Sequence, residues 1–93
     1  MIRTFADKET ASIYQGIAAK ALPREIQKRA LLRLMALSQA VRVNDLRLPP
    51  SNRLEALRGS LSGFHSIRIN DQWRVVFRWE AGNAWDVQIR DYH

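Results

Sequence analysis

The 93-residue sequence predicts a single α+β domain, residues 1–93, in which an N-terminal strand and two helices pack on one face of a mainly antiparallel sheet. Two observations predict this class. As far as residue 41, apolar residues recur at the helical spacing of three and four positions. From Leu54 onward they alternate with polar residues, as in half-buried strands that are separated by turns.

The N-terminal elements are predicted from short local signals. The stretch "MIRTF" is short and alternating, which indicates a first strand. Asp7 can cap a helix that ends near Gly16, because its carboxylate can accept hydrogen bonds from the free amides of the first turn. Pro23 at the first helical position predicts a second helix, which runs to about Gln39. Its buried face is predicted to comprise Ile26, Ala30, Leu34, Leu37 and Val41.

The stretch "VRVNDLRLPPSNRLEALRG" interrupts the helical periodicity, and Pro49 and Pro50 remove two amide donors. It predicts a long loop. Because long loops in compact domains are often functional or mobile, this one is expected to contact a partner. Turn signals then delimit four strands, at residues 54–58, 64–69, 72–79 and 84–91.

Residue parity assigns two faces to the last strands. The odd positions predict the buried face, with Trp73, Val75, Phe77, Trp79, Trp85, Val87 and Ile89. The even positions predict the outer face, with Arg74, Val76, Arg78, Gln88 and Arg90. Because Asp86 is the only acid expected on the outer face, the arginines there are predicted to be unpaired, and like charges on neighbouring strands repel unless an anion lies among them. This face is therefore a candidate phosphate-binding surface, with an ordinary solvated sheet face as the alternative.

The net charge of +6 is concentrated in one segment. Between Lys20 and Arg58 there are nine basic residues and three acidic ones, which accounts for the whole excess. Such a block attracts phosphate backbones or an acidic protein, although a solvated helix face would have the same composition. Arg outnumbers Lys by 12 to 3, which favours bidentate hydrogen bonding to phosphate or carboxylate groups.

Several classes of site are excluded by composition. The chain has no cysteine, so disulfides, thiolate metal sites and cysteine nucleophiles are absent. No apolar run approaches the roughly 18 residues that span a bilayer, and no secretory signal is present, so a cytoplasmic location without membrane contact is expected. Without a glycine-rich phosphate loop or paired-histidine spacing, neither a metal nor another cofactor nor a small-molecule substrate is expected.

The residues suited to proton transfer are few. His65 lies within a predicted strand and is expected to be structural, whereas Tyr92 and His93 follow a strand that carries arginine. A metal-free site of Arg, Tyr and His suits RNA cleavage by the RNA's own 2′-hydroxyl. That reaction requires removal of a proton, stabilisation of charge on the phosphate and protonation of the leaving 5′-oxygen.

The run "SNRLEALRGSLSGFHSIRINDQWRVVFRW", followed by "DYH", resembles the HigB-type branch of the RelE-like toxins of bacterial toxin–antitoxin pairs. The resemblance covers nearly the whole chain. It implies a RelE-like fold and a ribosome-dependent endoribonuclease that cleaves messenger RNA and arrests growth. It also implies a helix-turn-helix antitoxin of the HigA type, whose complex with the toxin binds operator DNA. A gyrase poison on the same fold, or a basic RNA-binding domain without catalysis, remains the alternative.

Carried over by position, the resemblance assigns candidate site residues. Those expected to be catalytic are Arg58, Arg68, Arg74, Asp91, Tyr92 and His93. Those expected to contact RNA or the ribosome are Arg24, Lys28, Arg29, Arg47, Arg53, Asn70, Arg78 and Arg90. Two departures from the family pattern stand out: Glu55 occupies a position where some relatives have His, and Asn70 one where some have Arg. Arg68 lies two residues from Asn70 and is the expected substitute.

Overall fold

The computed structural model describes residues 1–91, which form two helices and one four-stranded antiparallel sheet. The helices are α1 (Lys8–Tyr14) and α2 (Arg24–Gln39). The strands are β1 (Glu55–Ala56), β2 (Phe64–Arg68), β3 (Trp73–Glu80) and β4 (Asn83–Asp91), and they neighbour one another in chain order. The predicted fold class is confirmed, although β1 is shorter than expected. Within residues 1–91, neither helix has the length and apolar character needed to cross a membrane.

The N-terminal segment runs parallel to β4 along the edge that β3 leaves free. Ile2 pairs with Ala84 and Phe5 pairs with Val87, each as an isolated bridge. Backbone hydrogen bonds of 2.8–3.1 Å join the two segments on either side of these bridges. The predicted first strand is therefore present as parallel pairing, without forming a continuous strand.

Helix α1 begins and ends as the sequence predicts. Asp7 is its N-cap, and the Asp7 carboxylate accepts a hydrogen bond of 2.7 Å from the amide of Thr10. Gly16 follows the helix with a φ of 81°, a conformation that glycine adopts without steric cost. The buried hydroxyl of Thr10 then accepts a 3.0 Å hydrogen bond from the amide of Ile89, which fixes α1 against the C-terminal end of β4.

Helix α2 buries the predicted face except at its end. Its four buried residues are Ile26, Ala30, Leu34 and Leu37. Pro23 is the N-cap and not the first helical residue, a shift of one position. The prediction for Val41 is wrong: the helix ends at Gln39, Ala40 adopts an extended conformation, and Val41 is 74% exposed.

The segment between α2 and β1 is more ordered than the predicted loop. It contains two 3₁₀ helices, Val43–Arg47 and Pro50–Asn52. The side-chain amide of buried Asn52 donates hydrogen bonds of 3.2 Å to the carbonyls of Leu46 and Leu48. The segment is thus folded on itself, and it presents a defined surface beside β1.

A β-bulge changes the faces of β4. Val76 pairs with Gln88 whereas Arg78 pairs with Trp85, so β4 has one extra residue here, and Asp86 has a φ of 53°. The extra residue reverses the alternation, which places Ala84 in the core and Trp85 on the opposite face. The prediction that Trp85 belongs to the core is therefore wrong.

The face of the sheet away from the helices, called here the outer face, is also less solvated than predicted. Three of its residues are buried, namely Ser66, Arg74 and Val76. A sheet face that buries a charged side chain must supply hydrogen-bond partners for it. The hydrogen-bond partners of buried Arg74 therefore determine the geometry of the candidate site.

Candidate active site

Three arginines lie side by side across the outer face. Arg68 of β2 pairs with Arg74 of β3, and Arg74 pairs in turn with Arg90 of β4. Directly paired residues share one face of an antiparallel sheet, and neighbouring strands lie roughly 4.8 Å apart, so the three positions span about 10 Å. We call Arg68, Arg74 and Arg90 the arginine row.

Arg74 is the buried centre of this row, with only 7% of its surface exposed. Its guanidinium donates to the backbone carbonyl of Arg53 and, at 3.3 Å, to that of Ser66. It also lies 3.5 Å from the carboxylate of Glu55. Arg74 therefore ties the segment around β1 to the sheet, and the Arg53 side chain stays exposed beside it.

Arg68 forms the end of the row nearest the β2–β3 turn. Its guanidinium is hydrogen-bonded and ion-paired to Asp71, whose side chain is almost fully exposed. The hydrogen bond and charge of Arg68, together with the charge of Arg53, lower the pKa of Asp71. The exposed Asp71 carboxylate thus occupies a place beside the Arg68 guanidinium where an external anion could also be bound.

The acids near the row act as single counter-ions. Glu55 neutralises Arg74 and Asp71 neutralises Arg68, so the prediction of unpaired arginines is wrong for these two residues, as it also is for Arg78. Residues 1–91 contain no group of three or more His, Asp or Glu side chains that could hold a metal ion. Asp71 lies in the turn between β2 and β3, and Glu55 lies in β1. The alternation of residues in the last strands therefore could not identify either acid.

Arg90 forms the other end of the row and is exposed. No acid among residues 1–91 forms an ion pair with it. Asp91 follows on the opposite face by strand alternation, and its carboxylate accepts a 3.0 Å hydrogen bond from the side chain of Gln72. The contribution of Asp91 to the site stays a prediction, and Tyr92 and His93 lie outside the described residues.

Arg78 belongs to the outer face but not to the row. Its guanidinium pairs with Glu80 and, at 3.4 Å, with Asp86, and it lies 5.5 Å from the ring centre of Trp85. Two acids and an aromatic ring therefore already engage this arginine. Of the predicted RNA contacts, Arg78 is the one whose charge is most fully compensated.

Helix α2 contributes two arginines to the edge of β2 next to the row. Arg29 donates a 3.2 Å hydrogen bond to the carbonyl of Ile69, and Arg33 donates one of 2.9 Å to the carbonyl of Arg68. Burial and the charges of Arg29 and Arg68 lower the pKa of Arg33. Sequence reasoning missed Arg33, although its spacing of four from Arg29 places both on one flank of the helix.

The remaining predicted residues lie apart from the row. Arg24 and Lys28 are exposed on α2, in the layer that covers the opposite face of the sheet. Arg47 is exposed and donates to the side chain of Asn44, and Arg58 is exposed at the N-cap of the 3₁₀ helix Gly59–Leu61.

Asn70 has a structural contact in the β2–β3 turn. Its side-chain oxygen accepts hydrogen bonds from the amides of Gln72, at 2.9 Å, and Trp73, at 2.7 Å. This Asx-type turn sets the connection that carries Asp71. Asn70 therefore positions the counter-ion of Arg68, and its predicted contact with RNA stays a prediction.

His65 lies on the core face, away from the row. Its ring stacks on that of Phe77 with the ring centres 5.9 Å apart, and its Nδ1 is buried with no hydrogen-bond partner among the described residues. Burial lowers the pKa of His65. The structural role predicted for this histidine agrees with its position.

The lowered pKa of His65 predicts a pH dependence of stability. The unfolded chain binds a proton at His65 near the ordinary pKa of about 6.5, while the folded chain binds it only at lower pH. We therefore expect the contribution of His65 to be fully present above that pH and to decline as the pH falls below it. Urea unfolding of wild type and His65→Leu at pH 7.5 and 5.5 measures this, and an equal pH dependence in both proteins would contradict it.

The fold has counterparts among solved structures. It is similar to that of a chain in the heterotetrameric YoeB-YefM toxin-antitoxin complex from Staphylococcus aureus, with a TM-score of 0.62 and 17% identity. The similarity covers 100% of this chain and 98% of that one. The architecture is therefore that of the RelE-like and YoeB-like toxin folds.

Sequence comparison identifies the family within this class. The family model for the RelE-like toxin HigB of type II toxin–antitoxin systems matches residues 3–93, so the chain belongs to this family and the predicted resemblance is confirmed. Toxin HigB-1 of Vibrio cholerae is 38% identical over 90 residues, covering 96% of this chain and 95% of that protein. Endoribonuclease HigB of Proteus vulgaris is 27% identical over the full length of both. As a type II toxin, the chain has a cognate antitoxin as its partner.

Proposed function

We propose that this toxin is a ribosome-dependent endoribonuclease that cleaves messenger RNA in the decoding site without a metal ion, and so arrests growth. The observation that carries the proposal is the arginine row, in which arginines of β2, β3 and β4 are paired across the sheet, and β4 is the strand that leads to Tyr92 and His93. The full-length similarity to a protein named Endoribonuclease HigB supports it.

The arrangement fits the chemistry of 2′-hydroxyl attack. The 2′-oxygen loses its proton and forms a bond to phosphorus, while the bond to the 5′-oxygen breaks and that oxygen gains a proton. Tyr92 and His93 are the residues proposed for these proton transfers. Arg68 and Arg90 bind the phosphate oxygens where charge accumulates, and Arg74 holds the central strand and the β1 segment in place.

Contacts around the row would hold the RNA. Arg53 is exposed, and its backbone carbonyl accepts a hydrogen bond from Arg74. Arg29 and Arg33 extend the positive surface along the edge of β2. Because phosphate contacts dominate the affinity of proteins for nucleic acids, this surface favours binding of messenger or ribosomal RNA. Arg47, exposed on the segment before β1, completes the proposed contact area. Arg58, exposed on the segment after β1, stays a predicted catalytic residue that assists the row.

The proposed setting follows from the family. The antitoxin is proposed to be a helix-turn-helix protein of the HigA type that represses its own operon with the toxin bound. A cytoplasmic location is proposed, because the proposed targets, the ribosome and the operator DNA, are found there. None of these assignments requires a membrane or a small-molecule substrate.

Primer extension on messenger RNA after induction tests the proposal. Wild-type toxin, expressed without antitoxin, is expected to produce discrete cleavages within translated coding sequence. Tyr92→Phe and His93→Ala are expected to reduce those cleavages while the antitoxin still binds both variants.

The same experiment separates the alternatives. Blocking translation initiation on the reporter messenger RNA should abolish cleavage if the ribosome is required. DNA damage signalling without RNA cleavage would support a gyrase poison, and growth arrest with neither readout would support passive RNA binding. Either result would contradict the proposal.

A further inference from the structure

A groove with an apolar floor lies between the end of α1 and α2. It has a volume of about 250 Å³, and Ile13, Ile17 and Leu31 contribute its apolar surface. A second cavity of about 460 Å³ shares Ala18 and Gln27 with it and continues towards the start of α2. The two cavities form one surface feature, which we call the α1–α2 groove.

The wall of this groove is fixed by Gln27. The side-chain amide of Gln27 donates hydrogen bonds of 2.8 Å to the carbonyl of Ala19 and 2.9 Å to that of Leu22, and its oxygen accepts one of 3.3 Å from the amide of Ala19. These contacts attach the connection between the helices to α2. A wall that is already ordered lowers the entropic cost of binding a partner.

Apolar side chains continue from the groove onto the exposed side of α2. Ile17 on the rim is 57% exposed, and Leu32 and Met35 on α2 are 53% and 45% exposed. Met35 is four positions from Leu31 and three from Leu32, so its side chain neighbours both on the helix surface. A contiguous apolar surface of this kind is typical of a protein-binding site and gives no advantage in binding a phosphate backbone.

The rim of the groove is positively charged. Lys28 lines the first cavity, and Lys20 and Arg24 line the second. The described residues that line the two cavities include no acid. An apolar floor with a basic rim is complementary to an amphipathic segment that carries apolar side chains on one side and acidic ones at its margin.

We propose that the α1–α2 groove binds an acidic amphipathic segment of the cognate antitoxin. This inference rests on the chain being a type II toxin and does not depend on the proposed RNA cleavage. Arg24 and Lys28 then contact the antitoxin and not RNA. The groove lies in the helical layer on the side of the sheet opposite to the arginine row, so the antitoxin segment leaves the row uncovered.

Two groove variants and two matched controls test this inference. Ile17→Asp places a charge on the apolar rim, and Lys28→Glu reverses a rim charge. Leu48→Asp changes another apolar residue, 73% exposed, and Lys8→Glu reverses an exposed charge at the start of α1; neither residue lines the groove. The probe is the purified cognate antitoxin, identified as the protein that restores growth when it is co-expressed with the toxin.

Titration calorimetry is expected to show antitoxin affinity reduced about 10- to 100-fold for each groove variant and unchanged for both controls. Circular dichroism verifies that all four proteins are folded. Unchanged affinity in both groove variants, or an equal loss in all four proteins, would overturn the inference. A loss in Ile17→Asp alone would overturn the acidic character of the partner.

Growth arrest and primer extension without antitoxin provide an independent readout. Ile17→Asp is expected to arrest growth and cleave messenger RNA as wild type does. If no variant, including wild type, cleaves RNA while the affinity pattern holds, the proposed function fails and the groove assignment stands.

Discussion

Replacing Arg74 by Ala is expected to lower the free energy of unfolding by about 3 kcal/mol, because it leaves buried acceptors without their donor. The carbonyls of Arg53 and Ser66 would lose the guanidinium, and Glu55 would lose its counter-ion. For a domain of this size, such a loss corresponds to a fall in Tm of roughly 12–24 °C. Thermal unfolding followed by circular dichroism measures it.

Arg90→Ala is the matched control for this prediction. Arg90 belongs to the same row and pairs directly with Arg74, but it is exposed and has no ion pair among residues 1–91. Its removal is expected to change stability by no more than about 0.5 kcal/mol. Equal Tm values for the two variants would contradict the positioning role of Arg74. Lost activity in Arg74→Ala must therefore be interpreted together with its stability.

Local sequence signals were sufficient to predict most of the fold. The Asp7 cap, the buried face of α2 and the turn before β2 depend on residues a few positions apart, and the structure confirms them. Such features depend on spacing and backbone preferences that short segments carry by themselves. The same holds for Val75, Phe77, Val87 and Ile89, whose alternation places them in the core.

The errors arose where distant segments decide the outcome. The bulge at Asp86 is stabilised by Thr4, whose hydroxyl accepts a 2.8 Å hydrogen bond from the Asp86 amide, and it moves Trp85 to the outer face. The alternation of odd and even positions in the sequence does not reveal one extra residue in a strand. Likewise Glu55 reaches Arg74 only because β1 pairs with β2, so the sequence pattern could identify the arginine face but not its counter-ions.

Arg68→Ala is expected to reduce the rate of messenger RNA cleavage about 100- to 1000-fold, the usual cost of losing one donor that stabilises a developing charge. Arg68 is the member of the row with a displaceable partner, because Asp71 is exposed and can turn away when a phosphate binds. Quantitative primer extension in a reconstituted translation reaction measures the rate. The free energy of unfolding of Arg68→Ala is expected to change much less than that of Arg74→Ala, because the Arg68 side chain is only half-buried.

Asp71→Asn and Arg78→Ala show whether the row itself or the general charge of the outer face controls cleavage. Asp71→Asn removes the carboxylate that competes with RNA for Arg68, so tighter binding of a short RNA is expected, with a steeper salt dependence. Arg78→Ala removes an equal charge from the same face, but one that Glu80 and Asp86 already neutralise, so activity near that of wild type is expected. A fall in Arg78→Ala as large as in Arg68→Ala would show that overall charge matters more than the register of the row. Weaker RNA binding by Asp71→Asn would instead show that Asp71 orients Arg68 for its substrate.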